Sequence, residues 1–173
     1  MGKKTPSETC ANRLLIDSPL GIISLESDAH ESLLKIDIGD QFEHLATRGH
    51  CPVLIEVSEQ ILAYLNGDRR RFDLDNWTIA PARTDWQQRV RNVIAKVPWG
   101  HTISYGELAQ KAGGESRQHA RAAGQACGSN LFPILIPCHR ILASQGQLGG
   151  FTGGLGMKRH LLHLEGSLPA GSA

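Results

Sequence analysis

ISYGELAQKAGGESRQHARAAGQACGSNLFPILIPCHR, residues 103–140, is the stretch that decides the fold of the second half of this chain. Ser104 followed three residues later by Glu107 reads as a capping box, which starts a helix at Tyr105 and carries it to about Ala112. Gly113-Gly114 is a turn, and Ser116 caps a further helix that reaches about Cys127 and stops at Gly128-Ser129-Asn130. The apolar run Ile134-Leu135-Ile136 then reads as a short buried strand, ended by Pro137 because proline has no N–H for a ladder. Cys138, His139 and Arg140 follow at once. A cysteine held just past a buried strand is rigidly placed, and a neighbouring imidazole can make its thiolate available near neutral pH.

Outward from this stretch, Thr84 or Asp85 caps a helix Trp86–Val97, ended by Pro98-Trp99-Gly100. On the C-terminal side lie a glycine-rich segment, residues 141–154, and a last helix, residues 155–165. The N-terminal half reads differently. Three strands are expected at 13–17, 22–26 and 32–38, with turn chemistry at Ser18-Pro19-Leu20-Gly21. A helix 53–66 carries Val53, Val57, Ile61, Leu62 and Leu65 at helical spacing, and one further strand is expected near Phe72–Leu74. The expected architecture is an α/β N-terminal domain with a small antiparallel sheet, residues 1–83 including a connecting segment. A mainly helical, winged-helix-like (helix-turn-helix) domain follows, residues 84–173.

Charge divides along the same line. Residues 1–85 hold 9 Lys/Arg against 14 Asp/Glu, net −5, and residues 86–173 hold 9 against 3, net +6, beneath a whole-chain +1. A basic half that also carries a helix–glycine–helix unit points to a polyanion, with the second helix laid in a groove of DNA. No apolar run approaches membrane-spanning length, and Met1-Gly2-Lys3-Lys4 leads into a polar stretch without a signal-peptide core. Cys10, Cys51, Cys127 and Cys138 lack paired spacing, so free thiols in a reducing cytoplasm (or a nucleus) are expected. Cys10, His30, His44, His50 and Cys51 match no standard zinc spacing, and neither metal nor cofactor is expected.

The combination resembles the O6-alkylguanine-DNA alkyltransferases, also called methylated-DNA–protein-cysteine methyltransferases. The resemblance is carried by Gln87-Gln88-Arg89-Val90, residues 103–109, Ala120-Arg121-Ala122-Ala123-Gly124, Asn130, Pro133 to Arg140, Gly153-Gly154-Leu155, Lys158 and Leu164-Glu165-Gly166. It implies a suicidal, single-turnover repair reaction in which Cys138 accepts the alkyl group from guanine O6 in duplex DNA. His139 would take the thiol proton through water, and Glu165 would orient the imidazole. Tyr105 would donate to the leaving base, Lys158 would support Tyr105, and Asn130 would brace the turn. On the DNA side it implies minor-groove binding, base flipping and insertion of Arg121, with Ala120, Ala122, Gly124 and Ser104 at the backbone. The interval from Tyr105 to Arg121 is two residues longer than the family usually has, so Arg117 is the alternative inserting residue. Tyr105, Ile141, Phe151, Thr152 and Gly153 would wall the base pocket. The protein is expected to act as a monomer. Rival readings are a cysteine hydrolase or acyltransferase, and a DNA-binding regulator with Cys138 as sensor.

Overall fold

The computed structural model describes residues 10–42, 44–114 and 119–168. The chain divides into two compact units, Met1–Ala80 and Pro81–Ala173. In the first, β1 (Asn12–Ile16), β2 (Ile23–Ser27) and β3 (Leu33–Ile38) form an antiparallel meander. β1 pairs with β2 from Asn12↔Ser27 to Ile16↔Ile23, and Ser18 closes the turn by donating its hydroxyl to the Gly21 carbonyl at 2.6 Å. Ile23, Leu25 and Ser27 alternate onto one buried face. On β3 the buried residues are Leu33, Ile36 and Ile38, which breaks strict alternation. A bulge explains this: Glu26 faces Lys35 but Ser27 faces Leu33, so one extra residue restores Leu33 to the core side. Helix α1 (Pro52–Leu65) has proline in its first turn, where a missing N–H costs nothing, and turns Leu54, Val57, Ile61, Tyr64 and Leu65 inward.

The strand expected near Phe72–Leu74 is not formed. Asp73 accepts from Gln60 at 3.0 Å and from Arg69 at 2.6 Å, and a 3₁₀ turn Leu74–Asn76 follows. Side-chain ties at Asp73 thus bend the chain, and extended pairing comes later, where Leu33 exchanges hydrogen bonds with Thr78 and Ala80 at 2.8 and 2.9 Å.

The second unit is helical. Thr84 caps α2 (Asp85–Ile94) by accepting from Gln87 N–H at 3.2 Å. This helix is shorter than its sequence suggests, and Ala95 to Val97 continue only as turns. Ser104 and Glu107 form the expected capping box at α3 (Tyr105–Lys111). α4 runs His119–Gly128; the proposed cap Ser116, and Arg117 with it, lie outside the described residues. Trp86 of α2 donates its indole N–H to the Ala122 carbonyl of α4 at 3.2 Å, and the Arg89 guanidinium stands over the Trp86 ring at 5.4 Å. Together these tie α2 to α4.

A two-residue parallel ladder joins β4 (Ile103–Ser104) to β5 (Ile141–Leu142), pairing the entry to α3 with the exit from the Cys138 turn. α5 (Gly154–Leu164) closes the unit, with Lys158, Leu161 and Leu162 turned inward and Glu165 buried just past its end. Among the described residues no helix is long and apolar enough to cross a membrane.

Candidate active site

The run before Cys138 is a coiled turn rather than a strand. Ile136 N–H reaches back to the Phe132 carbonyl at 2.9 Å, and Ile134 sits at φ +72°, a left-handed conformation that a β-branched residue adopts only when its surroundings enforce it. The enforcement is visible: Phe132 and Ile134 are fully buried, and Asn130 pins the loop from inside. Its side-chain oxygen accepts from Phe132 N–H at 3.1 Å, and its amide donates to the Ile136 carbonyl at 2.9 Å. The apolar pattern therefore reports burial, while backbone needs met by Asn130 choose the turn. Cys138–Arg140 is a single 3₁₀ turn whose three side chains are all buried.

At the sulfur, Asn130 Nδ2 donates to Cys138 Sγ at 3.1 Å. Cys127, at the end of α4, brings its own Sγ to 4.0 Å from the Cys138 carbonyl oxygen. The Cys138 thiol is held below its ordinary value, first by the neighbouring Cys127 thiol, against the opposing cost of burial, and further by Asn130 and the Lys158 charge. Cys127 moves the opposite way and stays protonated. Lys158 is fully buried and donates to the carbonyls of Ile141 at 2.5 Å and Gly150 at 3.4 Å. Burial lowers its pKa, while the two nearby sulfurs favour its charge. It is not a surface residue of its helix.

His139 Nε2 donates to Glu165 Oε1 at 2.9 Å, and both side chains are buried. Because a carboxylate only accepts, Nε2 carries the proton and Nδ1 is the basic nitrogen. Burial holds the imidazole below its ordinary pKa, although Glu165 pulls the other way, so the ring is neutral at neutral pH. Glu165 is shared. Arg140 Nε approaches its two oxygens at 3.1 and 2.9 Å, Arg140 Nη2 donates at 2.8 Å, and Arg140 Nη1 donates to the Val97 carbonyl at 2.5 Å. A forked guanidinium matches a carboxylate in this way, and it removes most of the cost of burying Glu165.

Cys138 lies on the wall of a cavity of about 1090 Å³ whose lining includes Tyr105, Arg121, Gly124, Cys127, Gly150 and Phe151. Ser104, Ala120 and Thr152 line it as well. The Tyr105 hydroxyl points to the Gly150 carbonyl at 3.5 Å, a long contact, and burial pushes its pKa up to about 12. Lys158 reaches the same carbonyl, so Tyr105 and Lys158 meet through Gly150 rather than directly. Gly149 stands at φ +63°, and a Cβ there would come within 3.2 Å of the Tyr105 ring. Phe151 lines the cavity and also presents an edge-on ring contact to His139, centroids 6.5 Å apart. Arg121 is exposed on α4.

Two residues expected at the base pocket lie elsewhere: Ile141 is fully buried in β5, where its carbonyl serves Lys158, and Gly153 packs against Met157. Ala122 stands on α4 beside Arg121 and offers its carbonyl to Trp86. Two residues of the site escape the sequence reading. Arg140 was available as part of the Cys-His-Arg run, but nothing in the sequence shows that it forks onto Glu165. Cys127 reads as merely structural because its closeness to Cys138 is a tertiary fact. Among the described residues no group of three or more His, Cys, Asp or Glu is placed to hold a metal ion.

Comparison with known proteins agrees with this geometry. A family profile described as 6-O-methylguanine DNA methyltransferase, DNA binding domain, matches residues 85–167. A methylated-DNA–protein-cysteine methyltransferase of Methanosarcina acetivorans is 33% identical over 161 residues, 88% of this chain and 97% of that protein. One of Mycobacterium tuberculosis is 41% identical over 156 residues, 88% of this chain and 90% of that protein. The crystal structure of the M. tuberculosis O6-methylguanine methyltransferase is similar with a TM-score of 0.75 at 32% identity, covering 92% of this chain and 95% of that one. That of M. tuberculosis OGT in complex with DNA is similar at 0.76 and 33%, covering 90% and 93%. With sequence similarity along both units and a buried cysteine set between Asn130 and a His139–Glu165 pair, this chain belongs to the methylated-DNA–protein-cysteine methyltransferase family.

Proposed function

We propose that the chain repairs DNA by moving an alkyl group from guanine O6 in duplex DNA onto its own Cys138, once per molecule. The observation that carries this reading is the sulfur itself: it lies on a cavity beside α4 with room for a base and is held by Asn130 at 3.1 Å, with His139 next to it in the same turn and Glu165 bonded to that histidine from the end of α5. The neutral His139 accepts the Cys138 proton by way of a water, and Glu165 stabilises the resulting imidazolium. The sulfur then attacks the alkyl carbon; the S–C bond forms as the C–O6 bond breaks. Guanine leaves with negative charge, which the Tyr105 hydroxyl offsets by donating a hydrogen bond to the base. A tyrosine with a raised pKa is fully protonated at neutral pH, which a donor requires. The thioether has no leaving path, so the protein is consumed.

The base must leave the duplex to reach the sulfur, and extrusion costs a few kcal/mol, least for a damaged and poorly paired base. In this reading residues 84–173, within the second unit, are the DNA-binding and transfer domain. α4 faces the minor groove, where Arg121 fills the vacated stack and Ala120 and Gly124 let backbone approach. The +6 charge of residues 86–173 supplies sequence-independent, salt-sensitive affinity. The test is intact mass after mixing the protein with duplex DNA carrying one O6-methylguanine. One methyl group gained per chain, mapped to Cys138 and absent with undamaged DNA, is expected. A catalytic excess of repaired base, or full transfer by Cys138→Ser, would refute the reading.

A further inference from the structure

α4 presents different flanks to its neighbours. Ala120, Arg121 and Gly124 line the cavity that holds Cys138, whereas Ala122 meets α2, where its carbonyl accepts the Trp86 indole N–H at 3.2 Å. The Trp86 ring also lies 5.9 Å from the ring of His119, in the first turn of α4, and the Arg89 guanidinium stands over it at 5.4 Å. Arg89 in turn donates its Nε–H to the Ala112 carbonyl, just past the end of α3, at 3.0 Å. Neighbours on one face of α2, Trp86 and Arg89 thus hold the close of α3 and the opening of α4, on either side of the link between them.

Resting on the alkyl-transfer reading, we propose that Trp86 is a positioning residue for DNA binding: it fixes the roll of α4 about its own axis and so aims Arg121 at the duplex. Consecutive helix residues point about 100° apart, so a grip on the Ala122 peptide sets the direction of its neighbour Arg121. A helix with its side chains is about 10–12 Å across, and a roll of about 20° displaces a side-chain tip by about 2 Å. That displacement is enough to lose a hydrogen bond, whose donor and acceptor must lie within about 3.2 Å. The buried residues of α4 are Ala123, Ala126 and Cys127, all small, so the ridges that would lock the helix against rolling are low. The hydrogen bond and ring contacts of Trp86 supply the lock instead. Inside the helix the Ala122 carbonyl also accepts the N–H four residues on, so losing the indole bond strands no backbone group.

The experiment compares the full chain with Trp86→Phe, which keeps an aromatic ring and removes the indole N–H. Duplex binding is measured by titration, and methyl transfer from duplex DNA carrying one O6-methylguanine by single turnover. Iodoacetamide alkylation of Cys138 without DNA, read by peptide mass, reports the thiol alone, and urea unfolding reports the fold. Unfolding and iodoacetamide alkylation should match the parent, while the dissociation constant for duplex rises about three- to tenfold. In an Arg121→Ala background the same substitution should change binding by less than about twofold, because the side chain it aims is gone. A residue that only fills space would weaken both backgrounds alike. Duplex binding by Trp86→Phe equal to the parent's would overturn the proposal. So would an equal loss in both backgrounds, or a loss that iodoacetamide alkylation shares. If the parent takes no methyl from DNA while Trp86→Phe still weakens duplex binding through Arg121, the transfer reading fails and the brace stands.

Discussion

Replacing Asn130 by alanine removes three hydrogen bonds at once, two to backbone and one to the nucleophile. The backbone partners, Phe132 N–H and the Ile136 carbonyl, belong to residues that are 0% and 2% exposed. The Ile136 carbonyl keeps the Cys138 N–H at 2.7 Å, so Phe132 N–H is the group that loses its acceptor. Leaving such a buried group unpaired costs about 1–3 kcal/mol, of which water entering beside the half-buried Asn130 position recovers part, and a net loss of about 1–2 kcal/mol is expected. That is a large share of the 5–15 kcal/mol that typically holds a protein folded. The third bond acts on chemistry: without the Asn130 N–H the thiol rises and the thiolate is less available, so transfer slows. Urea unfolding followed on the full chain measures the first effect, and single-turnover methyl transfer measures the second. Asn130→Asp separates them: it keeps the acceptor for Phe132 but removes the donor and sets a carboxylate beside the sulfur, so transfer should suffer more than stability. An Asn130→Ala protein whose unfolding free energy stays within about 0.5 kcal/mol of the parent, at unchanged transfer rate, would refute the account of this turn.

Arg140→Leu should cost about 3 kcal/mol in urea unfolding, because it removes the guanidinium that balances the buried Glu165 charge and leaves neutral partners such as His139, and Arg140→Lys should recover little since the fork is lost. His139 is held below its ordinary pKa by burial, so the unfolded chain binds a proton before the folded one as pH falls. Its contribution is whole above the ordinary histidine value of about 6.5 and is lost as pH drops below it. Tm should therefore fall on acidification through that range, and His139→Gln should flatten the slope. Transfer should slow over the acid side as well, because a protonated imidazole cannot take the thiol proton. Arg121→Ala, an exposed change, should leave unfolding within about 0.5 kcal/mol but weaken binding to duplex DNA and slow transfer from it, read by titration and single-turnover assay.

Much of the fold was legible because its signals are local. The capping box at Ser104, the Thr84 cap and the alternating strands 12–38 each depend on residues within a few positions of one another. What the sequence misread depends on distant partners. Ile134-Leu135-Ile136 is apolar because it is buried, and apolarity alone does not separate a strand from a coiled turn. Asn130 decides that question, from four residues away. The strand expected near Phe72 fails because Asp73 is drawn to Gln60, thirteen residues back. In the site, the pairing of His139 with Glu165 followed from a family resemblance rather than from spacing. The sharing of Glu165 with Arg140, and the approach of Cys127 to Cys138, come only with the packed unit.

The two-residue ladder between β4 and β5 has a consequence for how this pocket can change. Ser104 pairs with Leu142, so Tyr105 on one side and Cys138 on the other hang from a common backbone rung. They act as the fixed jaws of a gauge: the gap between them is set by main-chain hydrogen bonds, not by rotamers that a mutation could re-aim. Opposite α4, the stretch from Ser144 to Thr152 that contributes another wall is exposed or half-exposed and carries Gly146, Gly149 and Gly150, with no ladder to restrain it. Altered tolerance for bulkier alkyl groups should therefore arise by resculpting that wall, while changes at the jaws cost the protein its chemistry before they widen its diet.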